Sequence, residues 1–172
     1  YLEGNNIQTF EGDLMEDKRW CVDINIQIAT EYSKLYFDIE TDDTGGKIKL
    51  GEDRILSFAA IDDKGKKYFE TVSEHTDLEE KRLLSKINQI IGQYDILLGW
   101  NSSEFDIPYI KGRMRKLEVG GSQFWKVAHF DLLSRFRHIF RFDSYIRMFN
   151  LDFISKHFLK RGKVGRNEKI IE

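Results

Sequence analysis

Hydrophobic and polar positions along the chain predict a series of short strands. Residues 22–26 alternate apolar and polar side chains, as a half-buried strand does. Residues 35–40 form an aromatic and β-branched run with strong strand character. Residues 55–61 and 67–72 flank the turn sequence Asp-Asp-Lys-Gly and therefore predict an antiparallel hairpin. The pattern also predicts strands at residues 96–98 and 125–130.

Helical spacing of apolar side chains appears between and after these strands. It is clearest over residues 77–92, where Thr76 and Glu79 predict a capping box. Further helices are predicted at residues 107–117, 132–140 and 151–159. The order of elements predicts an α/β fold: a mixed sheet, made of an antiparallel meander plus parallel strands, flanked by helices. The ribonuclease H-like fold has this order and is one candidate among several.

Composition narrows the class of protein. The 172 residues are 41% hydrophobic and 33% charged, which excludes a disordered chain and a coiled coil. No apolar run approaches the roughly 20 residues that cross a bilayer, and no signal peptide is recognisable, so we expect no membrane association. Cys21 is the only cysteine, which excludes an internal disulfide and favours a reducing, cytoplasmic compartment. The chain begins with Tyr1 rather than methionine, and we expect it to be part of a longer protein.

Charge is distributed unevenly. Residues 1–110 hold 12 basic and 23 acidic side chains, whereas residues 111–172 hold 15 and 6. The basic residues of the second part are interleaved with aromatic residues, a combination that suits phosphate contact and base stacking. An amphipathic helix with aromatic residues in the core and a solvated basic face would give the same pattern.

Three acidic residues are candidates for chemistry. Asp38 and Glu40 lie two positions apart on a predicted strand, so both side chains project from one face. Such carboxylates favour a compensating cation, and Mg²⁺ and Mn²⁺ prefer oxygen ligands. Solvation at a frayed strand end is the alternative. Asp106 follows a buried strand at the start of a helix, where it is a candidate N-cap and a candidate ligand, two roles that can coexist.

Two short motifs carry a resemblance to a known family. Phe-Asp-Ile-Glu-Thr at residues 37–41 resembles the first exonuclease motif of family B DNA polymerases. Asn101, with Phe-Asp-x-Pro-Tyr-Ile at residues 105–110 and Arg113 behind it, resembles the second. The motifs occur in the right order, and flanking stretches extend the resemblance over residues 9–163.

The resemblance implies a proofreading 3′–5′ exonuclease domain of the DEDD type, with the ribonuclease H-like fold. We expect residues 34–172 to form this domain and residues 1–33 to lead into it. The implied ligands of two Mg²⁺ or Mn²⁺ ions are Asp38, Glu40 and Asp106. The implied partners are the 3′ end of single-stranded DNA and the polymerase domain of the parent chain.

The resemblance also implies contacts with DNA. Asn101 and Phe105 match positions that contact the terminal nucleotides. Arg113 is a candidate phosphate contact, with a solvated helix face as the alternative.

The third motif of the family, Tyr-x-x-x-Asp, is absent from this sequence. We expect the chain to end before it. His138 and Asp143 match the spacing of a histidine variant, but they precede the stretch that the third motif should follow, so we interpret the match as a coincidence. Two alternatives stay open: an exonuclease-like domain that binds single-stranded nucleic acid with little or no hydrolysis, and a stand-alone nuclease that uses His138 and Asp143, acting on RNA.

Overall fold

The computed structural model describes residues 31–42, 44, 46, 51–142, 146 and 148–162. The chain divides into two units, Tyr1–Glu31 and Tyr32–Glu172, and the elements below all belong to the second. In chain order they are β1 (Lys34–Thr41), β2 (Ile55–Asp62), β3 (Lys67–Thr71), α1 (Asp77–Ile91), β4 (Ile96–Gly99), α2 (Asp106–Lys116), a 3₁₀ turn (Ser122–Trp125), β5 (Ala128–Asp131), α3 (Leu132–Phe140) and α4 (Leu151–Leu159).

The sheet is mixed, with the strand order β3-β2-β1-β4-β5. The first three strands form an antiparallel meander, whereas β4 and β5 run parallel to β1. This arrangement confirms the α/β fold class predicted from the order of elements. The carboxyl ends of β1, β4 and β5 lie at one edge of the sheet, because parallel strands end on the same side.

Several predicted boundaries differ from the structure, most of them by one residue. The last strand begins at Ala128 instead of residue 125, because Ser122–Trp125 form a 3₁₀ turn. The helix predicted from residue 107 begins one residue earlier, at Asp106. The strand predicted at residues 22–26 lies outside the described residues.

The core lies between α1, α2 and one face of the sheet. Strand β1 shows how the sequence divides its two faces: Leu35, Phe37 and Ile39 are buried, and the residues between them are exposed. The apolar face of α1 packs into the same core through Leu83, Leu84, Ile87, Ile90 and Ile91. The helical spacing of these five side chains is the pattern that predicted the helix.

A buried ion pair joins α1 to α2. Glu80 is fully buried, and its two carboxylate oxygens accept hydrogen bonds from the guanidinium of Arg113. The same carboxylate accepts the amide of Ile55 at the start of β2, at 3.0 Å. One carboxylate therefore connects two helices and a strand.

No helix among the described residues is long and apolar enough to cross a lipid bilayer.

Candidate carboxylate site

The site lies where β1 extends beyond β4. The last residue of β1 that pairs with β4 is Tyr36, opposite Leu98, and β4 ends at Gly99. Within the described residues, no strand pairs with the following part of β1 on that side. There the amide of Ile39 donates a hydrogen bond to the Asp106 carboxylate, at 3.2 Å. A side chain thus takes the acceptor position that a neighbouring strand would otherwise fill.

A sharp turn between β4 and α2 brings Asp106 to this position. An added Cβ at Gly99 would lie only 2.5 Å from the Ser102 side chain, so the turn requires glycine there. Asn101 has a φ of 62°, a left-handed conformation that asparagine tolerates better than most residues. Ser102 is fully buried, and its hydroxyl is hydrogen-bonded to His129 Nε2 at 2.8 Å. The turn is therefore fixed by backbone conformation and by a contact with β5.

Asp106 does not act as the helix cap. The N-cap of α2 is Phe105, which makes no side-chain capping bond, and Asp106 is the first residue of the helix. The N-cap interpretation of Asp106 is therefore wrong: its carboxylate faces β1. Burial raises the pKa of Asp106 to about 6, and the nearby charge of Asp38 adds to the rise, whereas the hydrogen bond from Ile39 opposes it.

Asp38 and Glu40 flank the residue whose amide holds Asp106. Both side chains lie on the face of β1 opposite the core, as their spacing predicted, and both are exposed. The negative charge of Asp38 contributes to the raised pKa of Asp106, as a like charge in its surroundings does. The structure therefore brings acidic residues from two distant stretches of the sequence to one end of β1.

The donor chemistry of these carboxylates suits a divalent cation, because oxygen ligands are what Mg²⁺ and Mn²⁺ prefer. These carboxylates are not, however, grouped tightly enough to enclose a cation. Among the described residues, no three acidic, histidine or cysteine side chains are grouped closely enough to hold a metal ion. The ligand types fit the implied metal, but a closed set of ligands is not present in this part of the chain.

The three residues predicted to contact DNA lie in different environments. Asn101 is half-buried in the turn, and Phe105 is half-buried with its ring centroid 5.3 Å from that of Tyr109. Arg113 is only 3% exposed and is bound to Glu80. The solvated helix face expected for Arg113 is therefore wrong, and its guanidinium is not accessible to a phosphate. Sequence spacing could not indicate this, because Glu80 lies 33 positions away.

Asp131 is a functional candidate that the sequence reasoning did not single out. Its carboxylate caps α3 and also accepts backbone amides of the β4–α2 turn. Burial alone would raise the pKa of Asp131, but hydrogen bonds from the amides of Ser103, Ser134 and others hold it below its usual value. The signal in the sequence was an aspartate immediately before an amphipathic helix, which is typical of an N-cap.

Helix α3 packs aromatic side chains against its neighbours and carries exposed arginines outside that contact. Phe136 and Phe140 pack against Phe158 of α4, and Phe136 also packs against Trp100. We call the exposed residues Arg135, Arg137 and Arg141, the last of which follows the final residue of the helix, the α3 arginines.

None of the ion pairs among the described residues involves these three arginines. Arg135 and Arg141 instead lie over exposed aromatic rings, at 5.7 Å from the ring centroid of Phe130 and 4.6 Å from that of Phe142. His138 is exposed on the same helix, and Asp143 lies outside the described residues. The helix thus combines packed aromatic residues with guanidinium groups that no acidic side chain neutralises in the described part of the chain.

Comparison with known proteins identifies the class. A family model described as the RNase_H superfamily matches residues 35–163, a region that includes all of the sheet except its first residue, Lys34. The chain therefore belongs to the RNase H superfamily. The ribonuclease H-like fold, one candidate on the order of elements alone, is confirmed.

The individual proteins that this chain resembles are archaeal polymerases. It is 31% identical over 100 residues to DNA polymerase 1 of Sulfolobus acidocaldarius, covering 49% of this chain and 11% of that protein. It is 28% identical over 129 residues to a DNA polymerase of Methanocaldococcus jannaschii, covering 63% of this chain and 8% of that protein. The match thus spans about a tenth of either polymerase. The predicted resemblance to DNA polymerases is confirmed.

A solved structure shows the same fold. The family B DNA polymerase of Pyrobaculum calidifontis, a hyperthermophilic archaeon, aligns with a TM-score of 0.65 at 19% identity. The alignment covers 77% of this chain and 19% of that one. The fold of this chain is therefore found within a family B polymerase.

Proposed function

We propose that this chain is the metal-dependent 3′–5′ exonuclease domain of a family B DNA polymerase. It would remove 3′-terminal nucleotides from single-stranded or mispaired DNA by phosphodiester hydrolysis, with residues 34–172 forming the domain. The observation that carries the proposal is the Asp106 carboxylate, held by the amide of Ile39 between Asp38 and Glu40. The similarity to archaeal DNA polymerases supports it.

The residues have distinct proposed roles. Asp38, Glu40 and Asp106 would hold Mg²⁺ or Mn²⁺. Two such ions would activate water and stabilise the charge that develops on the scissile phosphate. Phe105 would stack on a terminal base, a contact that every base can make, and Asn101 would contact the same end of the strand. In the cytoplasm, such a domain would serve the proofreading of the polymerase to which it belongs.

Asp38→Ala is expected to abolish nuclease activity. The substrate is 5′-labelled single-stranded DNA with Mn²⁺, and the products are resolved as a ladder of shortened strands. Wild type is expected to give a ladder and Asp38→Ala none, because the variant lacks a proposed metal ligand. The matched control is Asp63→Ala, an exposed acidic residue in the turn after β2, which should retain the ladder.

Two results would contradict this proposal. A ladder that persists in Asp38→Ala would show that the carboxylates are not the catalytic groups. A ladder that is lost in Asp143→Ala would instead favour a site built on His138 and Asp143.

A second candidate function is the binding of single-stranded nucleic acid with little or no hydrolysis. Two observations favour it: the described residues contain no closed group of metal ligands, and within the same residues the guanidinium groups of the α3 arginines have no acidic partners. A polyanion would neutralise those charges, and the exposed rings beside them could stack on bases.

Arg135→Gln/Arg137→Gln/Arg141→Gln is expected to weaken DNA binding in a salt-dependent manner. For single strands, log K falls with log salt by about 0.7 for each phosphate neutralised. Removing three charges should therefore reduce that slope by up to about 2. Fluorescence anisotropy with labelled single-stranded DNA, in the Asp38→Ala background and without divalent ions, measures it.

The matched control changes three exposed lysines elsewhere, Lys64→Gln/Lys81→Gln/Lys86→Gln. An equal loss of slope in the control would show that general charge, rather than the α3 arginines, determines binding.

A further inference from the structure

We propose that Asp131 is a positioning residue for the carboxylate site. Its carboxylate would fix the β4–α2 turn and, through that turn, the place of Asp106 beside β1. The proposal deepens the exonuclease function proposed above, but its geometric part is independent of catalysis.

The Asp131 carboxylate accepts four backbone amides. Oδ1 accepts those of Leu133 at 2.9 Å, Ser134 at 3.3 Å and Asn101 at 3.1 Å, and Oδ2 accepts that of Ser103 at 2.9 Å. The first two bonds are those of an ordinary helix N-cap, which a serine or an asparagine also provides. The other two reach back 30 and 28 positions along the chain, to the turn. Helix α3 needs only a cap, whereas the turn needs both oxygens of a carboxylate.

The turn transmits this constraint to Asp106. The carbonyl of Asn101 accepts the amides of Glu104 and Phe105, and the carbonyl of Ser102 accepts the amide of Ile107. The residues on which Asp131 acts are therefore hydrogen-bonded to the residues that start α2. Asp106 lies within that first turn of the helix, and its carboxylate reaches the amide of Ile39.

Asp131 itself is poorly placed to bind a ligand. It is 8% exposed, and both of its oxygens already accept backbone amides. Its negative charge near the start of α3 is favoured by the helix dipole. Its effect on the place of Asp106 therefore passes through the backbone of the turn, while its negative charge also adds to the rise in the pKa of Asp106.

Asp131→Ser separates the two roles. Serine is a good N-cap, so α3 stays capped, but its single short hydroxyl cannot replace both carboxylate oxygens at the turn. We expect the Ile39 amide to exchange with solvent about tenfold faster or more, since the hydrogen bond from it to Asp106 is loosened. The measurement is amide hydrogen exchange by NMR on the full chain.

Three references make the exchange result specific. The Ile55 amide, which a different buried carboxylate accepts, should keep its wild-type rate. Asn150→Ser alters the N-cap of α4 in the same way and should leave Ile39 unchanged. Asp131→Asn keeps the Oδ1 bonds but directs an NH₂ group at the Ser103 amide, so it should give an intermediate rate. An Ile39 rate equal to that of wild type in Asp131→Ser would overturn the proposal.

The kinetic readout tests the link to function. In the Mn²⁺ assay, kcat of Asp131→Ser should fall about tenfold or more, while KM for DNA stays within about twofold. A loss of kcat no larger than that of Asn150→Ser would overturn the positioning role in catalysis. If wild type degrades no DNA while Ile39 exchanges faster in Asp131→Ser, the positioning of Asp106 stands and the exonuclease proposal fails.

Discussion

Replacing Glu80 with alanine is expected to destabilise the protein by about 3–5 kcal/mol. The substitution leaves the guanidinium of Arg113, which is 3% exposed, without its carboxylate partner in the core. It also leaves the Ile55 amide without its acceptor. Breaking one side of a buried pair is costly because the remaining charge is neither solvated nor compensated. Urea unfolding, followed by circular dichroism, gives the change in free energy.

The control for Glu80→Ala is a substitution of Arg82, which lies two positions further along the same helix. Arg82→Ala breaks an ion pair with Glu79 in which the arginine side chain is 53% exposed, and such pairs contribute at most about 1 kcal/mol. Glu80→Leu/Arg113→Leu should recover most of the loss, since an apolar pair of similar size often replaces a buried ion pair without penalty. If Glu80→Ala cost no more than Arg82→Ala, the buried pair would not be the connection between α1 and α2 that the structure indicates.

Asp106→Asn is expected to stabilise the metal-free protein at pH 7 by up to about 3 kcal/mol. The pKa of Asp106 is about 6 in the folded protein, against 3.8 for the free side chain. Between about pH 4 and pH 6 the folded state therefore holds a proton that the unfolded state releases. The free energy of unfolding falls as the pH rises through that window and stays low above it. Asparagine avoids this loss because it carries no charge, and its oxygen can still accept the Ile39 amide.

Thermal unfolding at pH 4 and at pH 7 measures the effect. The gain from Asp106→Asn should be present at pH 7 and nearly absent at pH 4. Asp62→Asn is a control for which we expect the opposite change in stability. Burial alone would raise the pKa of Asp62, but hydrogen bonds from the amides of Lys66 and Lys64 and the hydroxyl of Tyr94 hold it below its usual value. That variant should therefore destabilise the protein at pH 7. Equal stability of wild type and Asp106→Asn at pH 7 would contradict the raised pKa.

Added Mn²⁺ should reverse the order of thermal stability of wild type and Asp106→Asn at pH 7. A cation bound by the carboxylates stabilises the folded state by mass action, and Asp106→Asn removes one of the proposed ligands. Wild type is expected to gain thermal stability with Mn²⁺, and the variant to gain less.

The local structure around the site could be predicted from the sequence because it depends on residues that are close together in the chain. The alternation along β1 predicted that Asp38 and Glu40 share the face opposite the core, and the structure confirms it. The capping box predicted at the start of α1 is confirmed on one side only. Thr76 accepts the Glu79 amide, but the Glu79 side chain binds Ser73 instead of the Thr76 amide.

The features that could not be predicted depend on residues far apart in the chain. Whether Arg113 lies in solvent or in the core depends on Glu80, and the helical pattern of α2 contains no information about that partner. The role of Asp106 depends on β4 ending before β1 does, which is a property of strand register. The sequence around Asp131 indicates only an N-cap, whereas its bonds to the β4–α2 turn join residues about 30 positions apart.

The hydrogen bond between Ile39 and Asp106 makes one carboxylate part of both the fold and the proposed metal site. At this position the difference between a carboxylate and an amide is one oxygen exchanged for NH₂, and either can complete the edge of the sheet. A lineage could therefore give up hydrolysis through a single substitution and keep its architecture, or even strengthen it. Members of a nuclease family that have lost hydrolysis and keep only a structural role would then be expected to carry asparagine where this chain carries Asp106.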